Sequence, residues 1–466
     1  MKTNYKARLL MTTLPALLLI IAQLACGAST AQQLASAVPP TAAPQQKTGS
    51  EPTQEQPKEN KPTNTPRPTE IPATPTPPPE PINLVVYGFG QDKQQLGYGF
   101  IVENPNRGYA YESSQYQIAA YNADDKVIET DSGYIELILP GQKLGIGGTI
   151  YLKEGITVAK IKVQLNAGDA EATDLTTAFT VDKVAYHASD MFSQAMGVVT
   201  NPYERDISDL RVSALAYNEA GEIIGGGLTY VNFILAKGTT GVSVSVASKG
   251  QVAKVELYPT VSGLSMLTSS DKLPVGAQSL ALAKQGYGQN ESQVGYGMLI
   301  RNPNGNFAVE STMFHITLYA KDGSVIAVEE GYVDTLLPNQ TLGEGGEIYV
   351  DKEMTVASAD FQIKSGKFET SDVIPTFTAE NISYQADRYF PKVTGEIASP
   401  YTKDITNVRV SAIAYNEVGD IIGGGFTFLD FVPANSKAAV EVSITVAGIP
   451  TKTELYAAVS ALSDYK

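Results

Sequence analysis

Beyond residue 82 the chain is a series of short runs rich in Val, Ile, Tyr and Thr, broken by Gly, Pro and Asn. The breaks recur at roughly ten-residue spacing, the pattern of sandwich or barrel strands. No stretch there sustains a 3.6-residue apolar period with capping residues, so little helix is expected. The predicted fold class is all-β.

The strands repeat. Arg211–Gly227 reads RVSALAYNEAGEIIGGG, and 198 residues later Arg409–Gly425 reads RVSAIAYNEVGDIIGGG. Gly97–Asn106 maps onto Gly295–Asn304 with the same offset. Over Val199–Gly227 against Ile397–Gly425, 18 of 29 positions are identical, so a whole segment was duplicated. Each copy holds a fainter repeat of its own. Asn104-Pro105, Asn201-Pro202, Asn302-Pro303 and Ser399-Pro400 are followed 17, 16, 17 and 16 residues after the Asn or Ser by Tyr121, Tyr217, Tyr319 and Tyr415. The predicted organisation is four tandem modules in the order A-B-A′-B′: 82–177, 178–275, 276–375 and 376–466. After each motif tyrosine comes a turn whose key residue is Asp125, Gly221, Gly323 or Gly419. Glycine, and less readily Asp, takes the left-handed conformation of a tight hairpin.

The run V-x-[NS]-P, about sixteen residues, then apolar-x-apolar-Tyr-[Asn/Ala]-x-x-Gly-x-[Val/Ile]-Ile resembles the FxLYD domain family across residues 82–466. The resemblance implies immunoglobulin-like β-sandwich modules of an exported prokaryotic protein, with the four tyrosines as structural motif residues. The family's phenylalanine position holds Ile118, Ala214, Ile316 and Ala412. Its aspartate position holds Asn122, Asn218, Ala320 and Asn416. The resemblance brings no catalytic residues with it.

The N-terminus has a different character. Lys2, Lys6 and Arg8 precede the apolar stretch Leu9–Ala22, as in a secretory signal peptide. It runs into Gln23-Leu24-Ala25-Cys26-Gly27, which resembles a bacterial lipobox. Residues 1–25 are therefore expected to be a lipoprotein signal, with lipidated Cys26 as the mature N-terminus; ordinary cleavage near Ala28–Ala31 is the alternative. Cys26 is the only cysteine in 466 residues, so an internal disulfide is excluded. Acyl chains there would hold the protein on a membrane, each buried CH₂ contributing about 0.8 kcal/mol. Residues 26–81 carry 14 of the 27 prolines and no aromatic residue, the composition of a disordered, extended spacer.

Chemistry is sparse. His187 and His315 are the two histidines; their duplicate positions hold Gln385 and Gln117, and both are expected at the surface. With no thiol besides Cys26, Cys–His catalysis is excluded, and no phosphate-binding or G-x-S-x-G motif is present. No cofactor, metal or catalytic residue is assigned. Asp169, Glu171 and Asp174, or Glu369 and Asp372, could attract calcium at a module junction; a solvated loop is the alternative. Asp plus Glu number 49 against 34 Lys plus Arg, and loss of Lys2, Lys6 and Arg8 moves the formal charge from −15 to −18. Such a surface is repelled by nucleic acid.

Two features stand out. Gly225, Gly226 and Gly227, like Gly423, Gly424 and Gly425, directly follow a strand, where glycine weakens pairing unless a bulge or close approach requires it. They are read as a bulge or module–module contact, or as an edge contacting a partner. Tyrosine is abundant, 25 with no tryptophan, and Tyr87, Tyr98, Tyr287 and Tyr296 lie in Gly-Tyr-Gly-like surroundings. Most are expected in strand cores, a few on a binding face. The expected function is a membrane-anchored extracytoplasmic lipoprotein that binds or scaffolds an extracytoplasmic protein or envelope component without catalysis. The alternatives are a carboxylate-based hydrolase of envelope glycans and a purely structural surface spacer.

Overall fold

The computed structural model describes residues 79–171, 177–189, 193–267, 273–372, 374–387 and 391–459. The signal segment, Cys26 and most of the spacer lie outside the described residues, as does Asp174. The described chain is almost entirely β, arranged as tandem immunoglobulin-like sandwiches, with one short helix at Gly263–Leu267. No strand crosses the expected module boundaries at 177/178, 275/276 and 375/376.

Module A contains β1 (Asn83–Asp92), β2 (Gln95–Glu103), β3 (Ala110–Tyr121), β4 (Val127–Ile138), β5 (Lys143–Tyr151), β6 (Lys160–Asn166) and β7 (Asp169–Glu171). One sheet has the order β1-β2-β5 and the other β4-β3-β6, with β7 paired to β3. Module B contains β8 (Thr180–His187), β9 (Gln194–Thr200), β10 (Ile207–Tyr217), β11 (Ile223–Ile234), β12 (Thr239–Ser245), β13 (Ala247–Ser248) and β14 (Lys254–Thr260). Its sheets are β12-β9-β8 and β13-β11-β10-β14. Copy two repeats both plans 198 residues later, except that the strand equivalent to β4 ends early, at Val333, and one strand is divided. The strand equivalent to β3 is split at Ser311 into Phe307–Glu310 and Thr312–Tyr319.

The motif residues explain themselves locally. Tyr121, Tyr217, Tyr319 and Tyr415 each end a strand, and each stands at a register shift against the next strand. The extra residue lets the chain turn. Asp125, Gly221, Gly323 and Gly419 then take φ of 60°, 77°, 79° and 86°. In the Asn-Pro motif the asparagine is buried and clamps two loops. Asn302 Nδ2 donates to the carbonyls of Phe307 at 2.8 Å and Leu337 at 3.0 Å, and Asn104 does the same with Tyr109 and Leu139.

Strand β10 shows why these modules are not beads on a string. A strand with one wet face should alternate apolar and polar. In β10 every residue from Leu210 to Tyr217 is buried. Leu210, Val212, Ala214 and Ala216 enter the core of B, together with Leu137 and Leu139 from module A. The opposite row includes Leu215 and Tyr217, which cluster with Ile101 of module A. Both faces of the sheet are therefore covered, one by its own sandwich and one by module A.

Modules B and A′ also touch. Phe233 meets the His315 ring edge-on, with centroids 6.4 Å apart. The Asn232 amide donates to Glu330 Oε1 at 3.0 Å, and the Gly241 amide to Thr317 Oγ1 at 3.1 Å. Gln362 Nε2 donates to the Thr239 carbonyl at 2.7 Å, and Lys364 Nζ to Ser208 Oγ at 2.7 Å. This contact corrects one expectation. His315 is not at the surface but 1% exposed, because module B docks over it, and its Nδ1 lies 2.9 Å from Glu330.

Candidate functional site

The A–B junction is where the unusual residues of this sequence converge. In β2, Leu96, Tyr98 and Phe100 point into the core of A. The alternate positions, Gly97 and Gly99, therefore face B. A Cβ on Gly97 would come within 1.9 Å of the Ala247 carbonyl, and one on Gly147 within 2.5 Å of the Ala214 carbonyl. Around Tyr98 the Gly-Tyr-Gly pattern is thus a core tyrosine flanked by Gly97, against which the backbone of Ala247 lies, and Gly99, against which the side chains of Leu215 and Ile223 lie.

The glycine triplet completes the contact. Gly225 and Gly227 face their own module, toward the carbonyls of Ala247 and Ser245. Gly226 faces module A, where a Cβ would lie 2.2 Å from the Tyr98 carbonyl. In copy two Gly423 and Gly425 look toward Thr445 and Ser443, and Gly424 toward the Tyr296 carbonyl at 2.3 Å. All six are buried. The surface that Gly226 and Gly424 meet is the neighbouring module of the same chain.

An arginine crosses this junction in each copy. Arg211 heads the A-facing row of β10 and is 6% exposed. It spans the open edge of module A, donating to the Tyr134 carbonyl at 3.2 Å, the Gly147 carbonyl at 3.3 Å and the Tyr116 hydroxyl at 3.3 Å. Arg409 reaches the Gly345 carbonyl at 3.0 Å, but its charge is met by Glu344, which replaces Ile146. Copy two has Phe314 where copy one has Tyr116, so the hydroxyl and the carboxylate trade places. Glu344 is 1% exposed, and burial pushes its pKa up to about 7 although Arg409 pulls it down. Burial also pushes nearby Glu329 up to about 7.

Above Arg211 lies a cleft of about 360 Å³ whose lining includes Tyr134 and Tyr230, from A and B respectively. They are 53% and 49% exposed, and their duplicates Tyr332 and Phe428 are 57% and 58% exposed. Two large aromatic side chains are thus held half-exposed at the same places in both copies. Asp131, also in the lining, is held by the Tyr98 hydroxyl at 2.6 Å.

The motif tyrosines play no part in the cleft. Tyr217 and Tyr415 pack at the junction beside Ile101 and Leu299, and Tyr121 lies under Lys160 and Lys162 at 5.3 Å each. Among the described residues no group of three His, Cys, Asp or Glu side chains could hold a metal ion. Sequence reasoning missed the two arginines, although each opens the duplicated block. The signal was a charge heading the run Arg211–Tyr217, which is otherwise apolar but for Ser213.

The sequence matches no family profile and no curated protein. Among solved structures, Escherichia coli alpha-2-macroglobulin activated by porcine elastase aligns over 83% of this chain and 45% of its own, at 10% identity and a TM-score of 0.12. The native conformation of the same E. coli protein aligns over 82% of this chain and 32% of its own, at 10% identity and 0.09. This chain spans less than half of either, and overlaps this loose carry no argument about fold or function.

Proposed function

We propose that this chain is an exported, lipid-anchored protein that binds or scaffolds an extracytoplasmic protein or envelope component without catalysis. In this reading its modules are FxLYD-like, and Cys26 carries the acyl chains. The observation that carries the binding reading is the repeated aromatic pair, Tyr134 with Tyr230 and Tyr332 with Phe428. Half-exposed aromatics on a rigid support lose little entropy on binding and bury a large area, which is why they anchor interfaces. The glycine-closed junction supplies the support, since each pair draws one ring from A and one from B. Duplication gives two such platforms per chain, and two weak sites gain avidity when both are engaged.

Crosslinking in intact membranes, followed by capture of the chain, tests this. A specific extracytoplasmic component should be recovered with the wild-type chain. Tyr134→Ala with Tyr230→Ala, or Tyr332→Ala with Phe428→Ala, should each lower that recovery several-fold, and all four together should abolish it. Undiminished recovery with all four replaced contradicts the platform. Hydrolysis of envelope glycans by the purified chain contradicts the non-catalytic reading.

A further inference from the structure

The face of B that receives A′ recurs on B′, and the face of A′ that it receives recurs on A, at opposite ends of the module series. On B′, Phe431 stands where Phe233 does and is 52% exposed, whereas Phe233 is fully buried. Thr406, Asp430 and Ala439, the counterparts of Ser208, Asn232 and Gly241, are exposed as well. On A, Gln117, Ser132 and Gln164 replace His315, Glu330 and Gln362, and all three are exposed. The geometry points to a head-to-tail contact in which B′ of one chain receives module A of a second copy, docked as B docks A′.

Three differences between the copies favour that occupant. Gly241 lies so close to Thr317 that a Cβ would come within 2.2 Å of the threonine methyl. In the B′–A combination the pair becomes Ala439 with Ala119. The methyl gained on one side enters the space vacated on the other, where it would lie 3.1 Å from the Ala119 Cβ, so the two faces part by a few tenths of an ångström and no more. Second, Gln362 donates to a backbone carbonyl, that of Thr239. Gln164 keeps the amide, and the Lys437 carbonyl is present whatever its side chain. Third, charge changes in complementary directions. Asp430 on B′ stands in place of Asn232 and Lys162 on A in place of Asp360, while Glu441, in place of Ser243, is already paired with Lys392 at 2.7 Å. The added Lys437 on B′ is already held by Glu380 at 2.6 Å.

Ser132 and Gln117 cannot reproduce the Glu330–His315 pair, so this contact is weaker than the internal one. The two faces differ, so the contact is heterologous and does not close on itself, and chains add in a row. A shared membrane would raise the local concentration enough for a weak contact to matter. This inference goes beyond the binding reading; the docking of B′ on A does not rest on it, and only the gain from a shared membrane rests on the lipid anchor proposed above.

Cysteine pairing tests it in the full chain on membranes, with the wild-type chain, whose only cysteine is Cys26, as background. Ala119→Cys and Ala439→Cys variants, mixed and mildly oxidised, should give a covalent dimer that neither gives alone. The double variant should give a ladder of multimers, and adding Phe431→Asp should reduce that ladder at least tenfold with unchanged thermal unfolding. Failure of the mixture to crosslink, equal dimer from each variant alone, or a ladder indifferent to Phe431→Asp overturns the proposal. The exposed face of B′ would then belong to a different partner.

Discussion

At the scale of single residues, Arg211 and Arg409 show how one constraint is met twice by different chemistry. A buried guanidinium must have its charge or its donors satisfied. Copy one offers a phenol and two carbonyls, copy two a carboxylate and a carbonyl. Glu344→Ile should therefore destabilise the chain by about 3 kcal/mol, the usual range for breaking a buried pair. Adding Phe314→Tyr, which restores the hydroxyl found in copy one, should recover part of that loss in calorimetry. A pH dependence follows with a definite sign. Glu344 and Glu329 hold protons more tightly folded, up to about 7, than the ordinary value of 4.5. The folded state binds more protons in that interval, so stability falls as pH rises from about 4.5 to about 7. In Glu344→Gln, urea titrations should show a shallower fall, because Glu344 no longer contributes to it.

At the scale of elements, the hairpin following each motif tyrosine was fully legible. A residue tolerant of positive φ was expected at Asp125, Gly221, Gly323 and Gly419, and all four adopt it. The glycines of β11 were legible as a bulge or module–module contact, or as a partner edge, without deciding between them. Sequence marks a place where a side chain is absent, but not which surface fills the gap, and that surface comes from a module about 100 residues away. The surface position expected for His315 failed for the same reason, since nothing in its own strand reports that A′ docks on B. The glycine contact makes a sharp prediction. Gly226→Val would place atoms inside the Tyr98 carbonyl, so A and B must separate or distort. Hydrogen exchange should then rise in β2 and β11 together. The same substitution at Gly141, whose added Cβ meets nothing within 4 Å, strains only its own left-handed backbone. It should leave exchange in both strands unchanged.

At the scale of the whole molecule, duplication gives four sandwiches that are not independent. A closes on B through glycine backbone, Arg211 and apolar side chains, and B meets A′ around Phe233 and His315, so residues 82–275 and 276–466 cannot be separated without uncovering those two rings. The constant offset of 198, with the Asn/Ser-Pro to Tyr spacing repeated inside each copy, made the four modules readable from sequence; the packing between them was not, because it depends on which strand faces meet. The central functional claim is that this body is displayed outside the cell from a lipid on Cys26. Among the described residues no helix is long and apolar enough to cross a membrane. Membrane fractionation of Cys26→Ser tests the claim most directly. The account predicts that the variant leaves the membrane for the soluble exported fraction while the wild-type chain stays bound through a high-salt wash. A Cys26→Ser chain that still sediments with washed membranes would contradict it.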